Sequence, residues 1–266
     1  MRLVPRKSSP AASPSSALPP IQLFAGTSGW AYPTWKPGFY PQSVSTRKFL
    51  SFYATLLNSV EVNYTFTKLP TPKQTTDWLT QTPESFRFTF KAPQRITHFS
   101  RLLDCNQHVA DFLASIAPIV ASKRAGLILF QLPPNFKAAP QRLADLLTLA
   151  ALQNSPPLAF EFRNDTWFNP ETYAILTAHN AALCIAESEK LETPELHTAR
   201  THSCFRLRKP GGYKPGQITA LAQRLADLSR ERDVYVYFKH EDEPTGALNA
   251  AAFLKSAAKF ETKAQK

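Results

Sequence analysis

Eight short apolar runs, each parted from the next by helix-periodic or polar chain, constrain this sequence more than any other feature. The runs fall at 21–25, 59–62, 86–90, 126–130, 158–162, 182–186, 204–207 and 234–238. Stretches of helical period fall at about 46–57, 72–81, 106–122, 139–152, 170–179, 215–230 and 246–260. Runs such as Gly126-Leu127-Ile128-Leu129-Phe130 are continuous rather than alternating, as strands buried on both faces of a parallel sheet must be. Eight such strands in a body of about 246 residues fit an α/β (β/α)8 TIM-type barrel, regular or irregular, built as one domain of about 250 residues. A doubly wound open sheet is the rival. It is weakened because Gly26-Thr27-Ser28-Gly29-Trp30, after the first run, is not a G-x-G-x-x-G phosphate loop.

Local chemistry supports these elements. Ser45 and Thr46 precede the first helical stretch, and Thr71-Pro72 and Asn169-Pro170 each set a capping side chain before a proline suited to a first turn. Residues 1–20, rich in Ser, Pro and Ala, read as a disordered tail, 21–260 as the barrel domain, and 261–266 as a frayed basic end. There is no apolar run of 18 residues, so no membrane span or membrane partner is expected. Cys105, Cys184 and Cys204 are too scattered for a disulfide framework, and Cys184 and Cys204 read as reduced core residues. With no export signal, the cytoplasm is the default compartment.

Apolar residues make up 43% and charged residues 19%, enough for a full core. The formal charge is +11, of which the first twenty residues carry +3 and the last dozen +3, so the body itself is basic by +5. Such a body attracts phosphates and carboxylates.

In a barrel, chemistry collects where strands end, because those ends converge on one rim. The polar or aromatic groups there are Ser28 and Trp30, Glu61 and Asn63, Lys91, Gln131, Glu161 and Arg163, Glu187, Arg206 and Arg208, and Lys239 and His240. Glu61 and Glu161 suit an acid–base pair, or each neutralises a base, Glu161 beside Arg163 and Glu61 facing Lys91. Lys91 follows aromatics, so its amine is partly desolvated. It either stabilises negative charge or forms a Schiff base. His98 and His240 lie near the rim, but no metal-binding spacing is present. No cofactor is expected, and a divalent metal on Glu61, Glu161, Glu187, His98 and His240 is the lesser alternative. His108, His179, His197 and His202 read as surface residues. Trp30 and Trp167 are the aromatics closest to strand ends and suit stacking, whereas Tyr32, Trp35, Phe39 and Tyr40 read as a lid packed on itself. Gly211-Gly212-Tyr213 after Arg206, Arg208 and Lys209 forms a basic loop suited to phosphate.

A resemblance runs through the same places. Gly26-Thr27-Ser28-Gly29-Trp30, Phe39-Tyr40-Pro41 and Glu61-Val62-Asn63 with Thr65-Phe66 resemble the opening of the YecE-like proteins, domain of unknown function family 72. Phe86-Arg87-Phe88 with Lys91-Ala92-Pro93 and Ile96-Thr97-His98, Gln131-Leu132-Pro133-Pro134 with Phe136, and Glu161-Phe162-Arg163 with Trp167-Phe168 continue it. Asp233-Val234-Tyr235-Val236-Tyr237-Phe238 with Asn249-Ala250 closes it, so about 22–256 is covered. The resemblance implies a (β/α)8-type barrel and no particular activity. Thr67 stands where the family has an aromatic, Leu207-Arg208-Lys209 where it has Leu-His-Gly, and Lys239-His240 where it has Asn-Asn. These replacements make this rim more basic.

The expectation is a barrel whose rim binds a phosphorylated anionic ligand, a nucleic acid or a sugar phosphate. Whether it catalyses is left open. Hydrolysis or isomerisation would use Glu61, Lys91 and Glu161 as catalytic groups. Trp30, Asn63, His98, Gln131, Arg163, Trp167, Arg206, Arg208 and Lys239 would bind substrate. A non-catalytic nucleic-acid binder and a carbohydrate-active enzyme using the Glu pair are the alternatives.

Overall fold

All eight apolar runs become parallel strands. They are β1 (Leu23–Thr27), β2 (Ser59–Val62), β3 (Arg87–Lys91), β4 (Ala125–Gln131), β5 (Leu158–Glu161), β6 (Ala182–Ala186), β7 (His202–Leu207) and β8 (Asp233–Phe238). The structure, a computed structural model, describes residues 22–188, 190–239 and 243–264. The proposed tail at 1–20, Ile21 and His240 lie outside the described residues, as does the very end of the basic terminus.

The helices are α1 (Phe49–Leu56), α2 (Pro72–Thr80), α3 (Asn106–Ala121), α4 (Pro140–Leu147), α5 (Pro170–Ala178), α6 (Pro215–Leu228) and α7 (Thr245–Ala264). Two expected caps form. Thr71 accepts from the Gln74 amide at 3.3 Å and Gln74 reaches back to the Thr71 amide at 3.0 Å, and Asn169 accepts from the Thr172 amide at 2.9 Å. Ser45 does not cap with its side chain; a 3-10 turn, Thr46–Lys48, leads into α1 instead. The last helix continues to Ala264, past the expected end at 260. Among the described residues no helix joins β6 to β7, so that crossing is irregular chain.

The strands pair in the order β1-β8-β7-β6-β5-β4-β3-β2, which leaves β1 and β2 to close the ring. That last joint is unlike the other seven. Its backbone contact is one parallel bridge, Ser28 with Glu61, where the Gly29 amide donates to the Glu61 carbonyl at 2.9 Å. Lower down, side chains take the place of a ladder. Asn58 accepts from the Ala25 amide at 2.8 Å and donates to the Leu23 carbonyl at 2.9 Å. The Tyr53 hydroxyl, reaching in from α1, accepts from the Thr27 amide at 2.8 Å and donates to the Ser59 carbonyl at 2.9 Å. Gly26 is required here, because a Cβ would lie 1.8 Å from the Ser59 carbonyl oxygen.

Alternation along the strands splits the core in two. On β4, Ile128 and Phe130 join the large cluster between strands and helices. Leu127 and Leu129 join a smaller one with Phe24, Ala159, Cys184, Cys204, Tyr235 and Tyr237 that fills the barrel. Tyr237 satisfies its buried hydroxyl inside the barrel on Ser59 at 2.8 Å and Thr89 at 2.6 Å. The expected lid aromatics also pack together: Trp35, Phe39 and Tyr40 are buried, and Tyr40 stacks on Phe49 of α1 at 4.0 Å. His202 is not a surface residue as its loop-like surroundings suggested. It lies buried in β7 with Nε2 2.8 Å from the Leu158 carbonyl, and burial lowers its pKa.

Candidate functional site

Two residues further along most of the strands, the barrel filling changes character. Past Ser59, Thr89, Leu129, Ala159, Cys204 and Tyr237 come Glu61, Lys91, Gln131, Glu161, Arg206 and Lys239. A period of two sends both members of each pair to the same face, so a polar layer caps the apolar filling at the C-terminal rim.

Arg206 is the hub of that layer. Its Nε and Nη2 donate to the two oxygens of Glu61, each at 2.8 Å, and Nη1 donates to Glu161 Oε2. Nη2 also approaches Ser28 Oγ at 3.4 Å. Glu161 receives two further bonds, from Gln131 at 2.8 Å and Arg163 Nε at 3.0 Å. Five strands, β2, β4, β5, β7 and the end of β1, thus converge on one network. Glu61 is 0% exposed, Glu161 4% and Arg206 4%, so these charges persist only because they satisfy each other.

Electrostatics follows from this geometry. Burial alone would raise the Glu161 pKa, but Arg206 and Arg163 outweigh it and hold the carboxyl at about 2. Burial would likewise lower Arg206, and the two glutamates reverse that, fixing it as a cation. Lys91 differs. It forms no ion pair among the described residues, and its ammonium lies over the Phe66 ring at 4.1 Å. Burial lowers its pKa to about 8, with Glu61 and Glu161 opposing and Arg206 and Lys239 assisting. His98, in a π-helical turn at Arg95–Phe99, meets the same Phe66 ring edge-on at 4.9 Å, and burial with nearby Lys91 and Arg163 lowers its pKa.

A cleft of about 200 Å³ opens above this layer on the β5–β8 side. Its wall includes Glu161, Arg163, Arg206, Arg208, Lys239 and, from the irregular β6–β7 crossing, Lys190. Glu187 is also there, accepting from the Arg208 amide at 2.7 Å and from the Tyr213 hydroxyl.

Several expectations need correcting. Glu61 is paired with Arg206, not Lys91: Arg206, in β7 as expected, reaches both carboxylate oxygens of Glu61 across the barrel. Trp167 offers no stacking face. It is 0% exposed, its indole NH donates to the Phe136 carbonyl at 2.8 Å, and its ring lies on Phe162 at 4.7 Å. Trp30 is half-buried against the edge of Trp78 at 5.8 Å. Asn63 sits at the start of a 3-10 turn with its Oδ1 buried and unpartnered. Among the described residues no three His, Cys, Asp or Glu side chains gather as a metal cluster. The contribution of the β6–β7 crossing was not anticipated; its signal was the lack of any helical period between 187 and 201.

Comparison with known proteins agrees with the architecture. The solved structure of a DUF72 family protein from Thermotoga maritima superposes with a TM-score of 0.76 at 26% identity, covering 88% of this chain and 98% of that one. A DUF72 family protein from Enterococcus faecalis gives 0.75 at 21% identity over 89% and 96%. In sequence, the UPF0759 protein YunF of Bacillus subtilis is 30% identical over 155 residues, 57% of this chain and 54% of YunF. The UPF0759 protein YecE of Escherichia coli is 33% identical over 114 residues, 43% of this chain and 39% of YecE. The match thus spans about half or less of these relatives' length. The family described as "Protein of unknown function DUF72" matches residues 24–266, and the chain therefore belongs to the DUF72 family.

Proposed function

We propose that the rim cleft binds a small phosphorylated ligand of sugar-phosphate size. The observation that carries this reading is the charge of the cleft wall: Arg163, Lys190, Arg206, Arg208 and Lys239 against Glu161 and Glu187. A low-dielectric hollow with this excess of cations concentrates anions, and guanidinium groups held by carboxylates are pre-oriented for phosphate oxygens. A volume of about 200 Å³ suits a small metabolite better than a nucleic-acid strand.

The glutamate pair does not favour glycoside hydrolysis. A general acid must be protonated at working pH, and Glu161 is held at about 2. Glu61 is tied by both oxygens to the same guanidinium. In this reading the two carboxylates position Arg206. Lys91, at about 8, is the rim group suited to proton transfer near neutrality.

Thermal unfolding tests the reading. Ribose 5-phosphate and glucose 6-phosphate are expected to raise the Tm while ribose and glucose do not. At a hundred times Kd the gain is about 2.7 kcal/mol, or about 5–10 °C for a domain of this size. Arg208→Ala with Lys239→Ala removes the shift. If neither sugar phosphates, inorganic phosphate nor oligonucleotides move the Tm, with or without magnesium, the proposal fails.

A further inference from the structure

We propose that Lys91 is a nucleophilic amine that forms an imine with the carbonyl group of a small phosphorylated aldehyde or ketone bound at the rim. This rests on the anion-binding reading above and adds the reacting group.

Three observations place the amine for this role. Lys91 closes β3 in the polar layer, half-buried, so it faces the same rim as Glu61, Arg206, Glu161 and Lys239, each of which acts on its charge. Its ammonium is set against an aromatic face, Phe66 at 4.1 Å, with no carboxylate paired to it among the described residues. The glutamates that would otherwise hold it charged are both taken by Arg206. The layer therefore leaves one amine poorly stabilised as a cation, in the field of Glu161, Arg206 and Lys239, which themselves line the cleft that gathers anions. The lowered pKa agrees with this placement. A pKa lowered to about 8 leaves a far larger share of free amine near neutrality than an ordinary lysine near 10.4 has. The groups that bear on this titration are Glu61 and Glu161, which favour the cation, and Arg206 and Lys239, which oppose it. His98 faces the same Phe66 ring.

The step balances without a further reagent. The nitrogen lone pair attacks the carbonyl carbon and the oxygen takes up a proton, giving a carbinolamine. The C–O bond then breaks as water leaves, the nitrogen gives up its proton, and the C=N bond forms. Amine and carbonyl give imine and water, with no change in oxidation state.

The test uses the full chain with dihydroxyacetone phosphate or dihydroxyacetone in the presence of cyanoborohydride, which delivers hydride to the imine carbon and fixes the adduct as a secondary amine. Peptide mass mapping then locates it. Expected is an adduct on Lys91 at least about tenfold over exposed Lys48 and Lys123, with a rate that rises through pH 8. The phosphorylated probe should be preferred, and inorganic phosphate should protect. Lys91→Arg loses that adduct with an unchanged circular dichroism spectrum. An adduct spread evenly over surface lysines overturns the inference even if phosphate raises the Tm. Equal labelling of Lys91 by both probes, without protection by phosphate, keeps the reactive amine and refutes the anion cleft instead. The mapping on the unmodified protein decides the question even if Lys91→Arg fails to fold.

Discussion

Replacing Arg206 with methionine removes the hub of the rim network and leaves two carboxylates inside the barrel mouth. The magnitude follows from their burial. Glu61 and Glu161 are 0% and 4% exposed, and breaking a buried pair by removing one partner costs about 3–5 kcal/mol. The Glu161 pKa points the same way. Its fall from 4.5 to about 2 corresponds to about 3 kcal/mol of preference for the charged form. In the native protein this folded pKa is below the unfolded one, so its stabilisation is complete above about pH 4.5 and lost as pH falls toward 2. In Arg206→Met the largest influence holding the Glu161 pKa down is gone, and burial is opposed by Arg163 and Gln131 alone, so that pKa rises and the variant's deficit shrinks as Glu161 takes up a proton. Urea unfolding followed by circular dichroism should show a loss of about 3–5 kcal/mol at pH 7 and less than half of that at pH 4. A loss under about 1 kcal/mol at pH 7, or the same loss at both pH values, would refute the view that the guanidinium neutralises these carboxylates.

Three other outcomes follow from the structure. Trp167→Ala empties a core site and should cost about 3–5 kcal/mol while leaving phosphate affinity by calorimetry within about twofold, since Trp167 does not line the cleft and backs only its apolar wall residue Phe162. Tyr53→Phe orphans the Thr27 amide and the Ser59 carbonyl; a loss of about 1–3 kcal/mol and faster hydrogen exchange at Thr27 are expected. The folded pKa of Lys91 is below its unfolded value of 10.5, so the unfolded chain binds more protons between about pH 8 and 10.5 and stability rises with pH there. Its share is at most about 3 kcal/mol, less what solvent screens at a half-buried amine. The native protein should gain on Lys91→Met between pH 7.5 and 9.5 by urea unfolding, and parallel curves would contradict this.

The barrel was legible because strands buried on both faces must be continuously apolar, as Gly126 to Phe130 is, and because helix starts such as Thr71-Pro72 carry their own chemistry. The polar rim was legible for a related reason: nearly every apolar run ends in a group that can ionise or donate hydrogen bonds. Other features depended on facts that a strand-end position does not encode. Trp167 is a few residues from a strand end, like Trp30, yet a 3-10 turn at Asp165–Trp167 folds its ring back onto Phe162. Arg206 falls within the apolar run 204–207 and is a strand residue as expected, but only the folded barrel shows that its guanidinium joins Glu61 and Glu161. The choice of Arg206 over Lys91 as the partner of Glu61 joins residues 145 positions apart, a distance over which local pattern carries no information.

The joint between β1 and β2 has an evolutionary consequence. Elsewhere the ring is fastened by peptide groups, which every residue but proline supplies in full, so those strands can exchange one β-forming side chain for another and stay joined. At this joint, the one bridge at Ser28 and Glu61 apart, the fastening atoms belong to an asparagine amide and a tyrosine hydroxyl. No apolar replacement of similar bulk can supply them, so these two positions, remote from any chemistry at the rim, should tolerate the least drift of any in the wall.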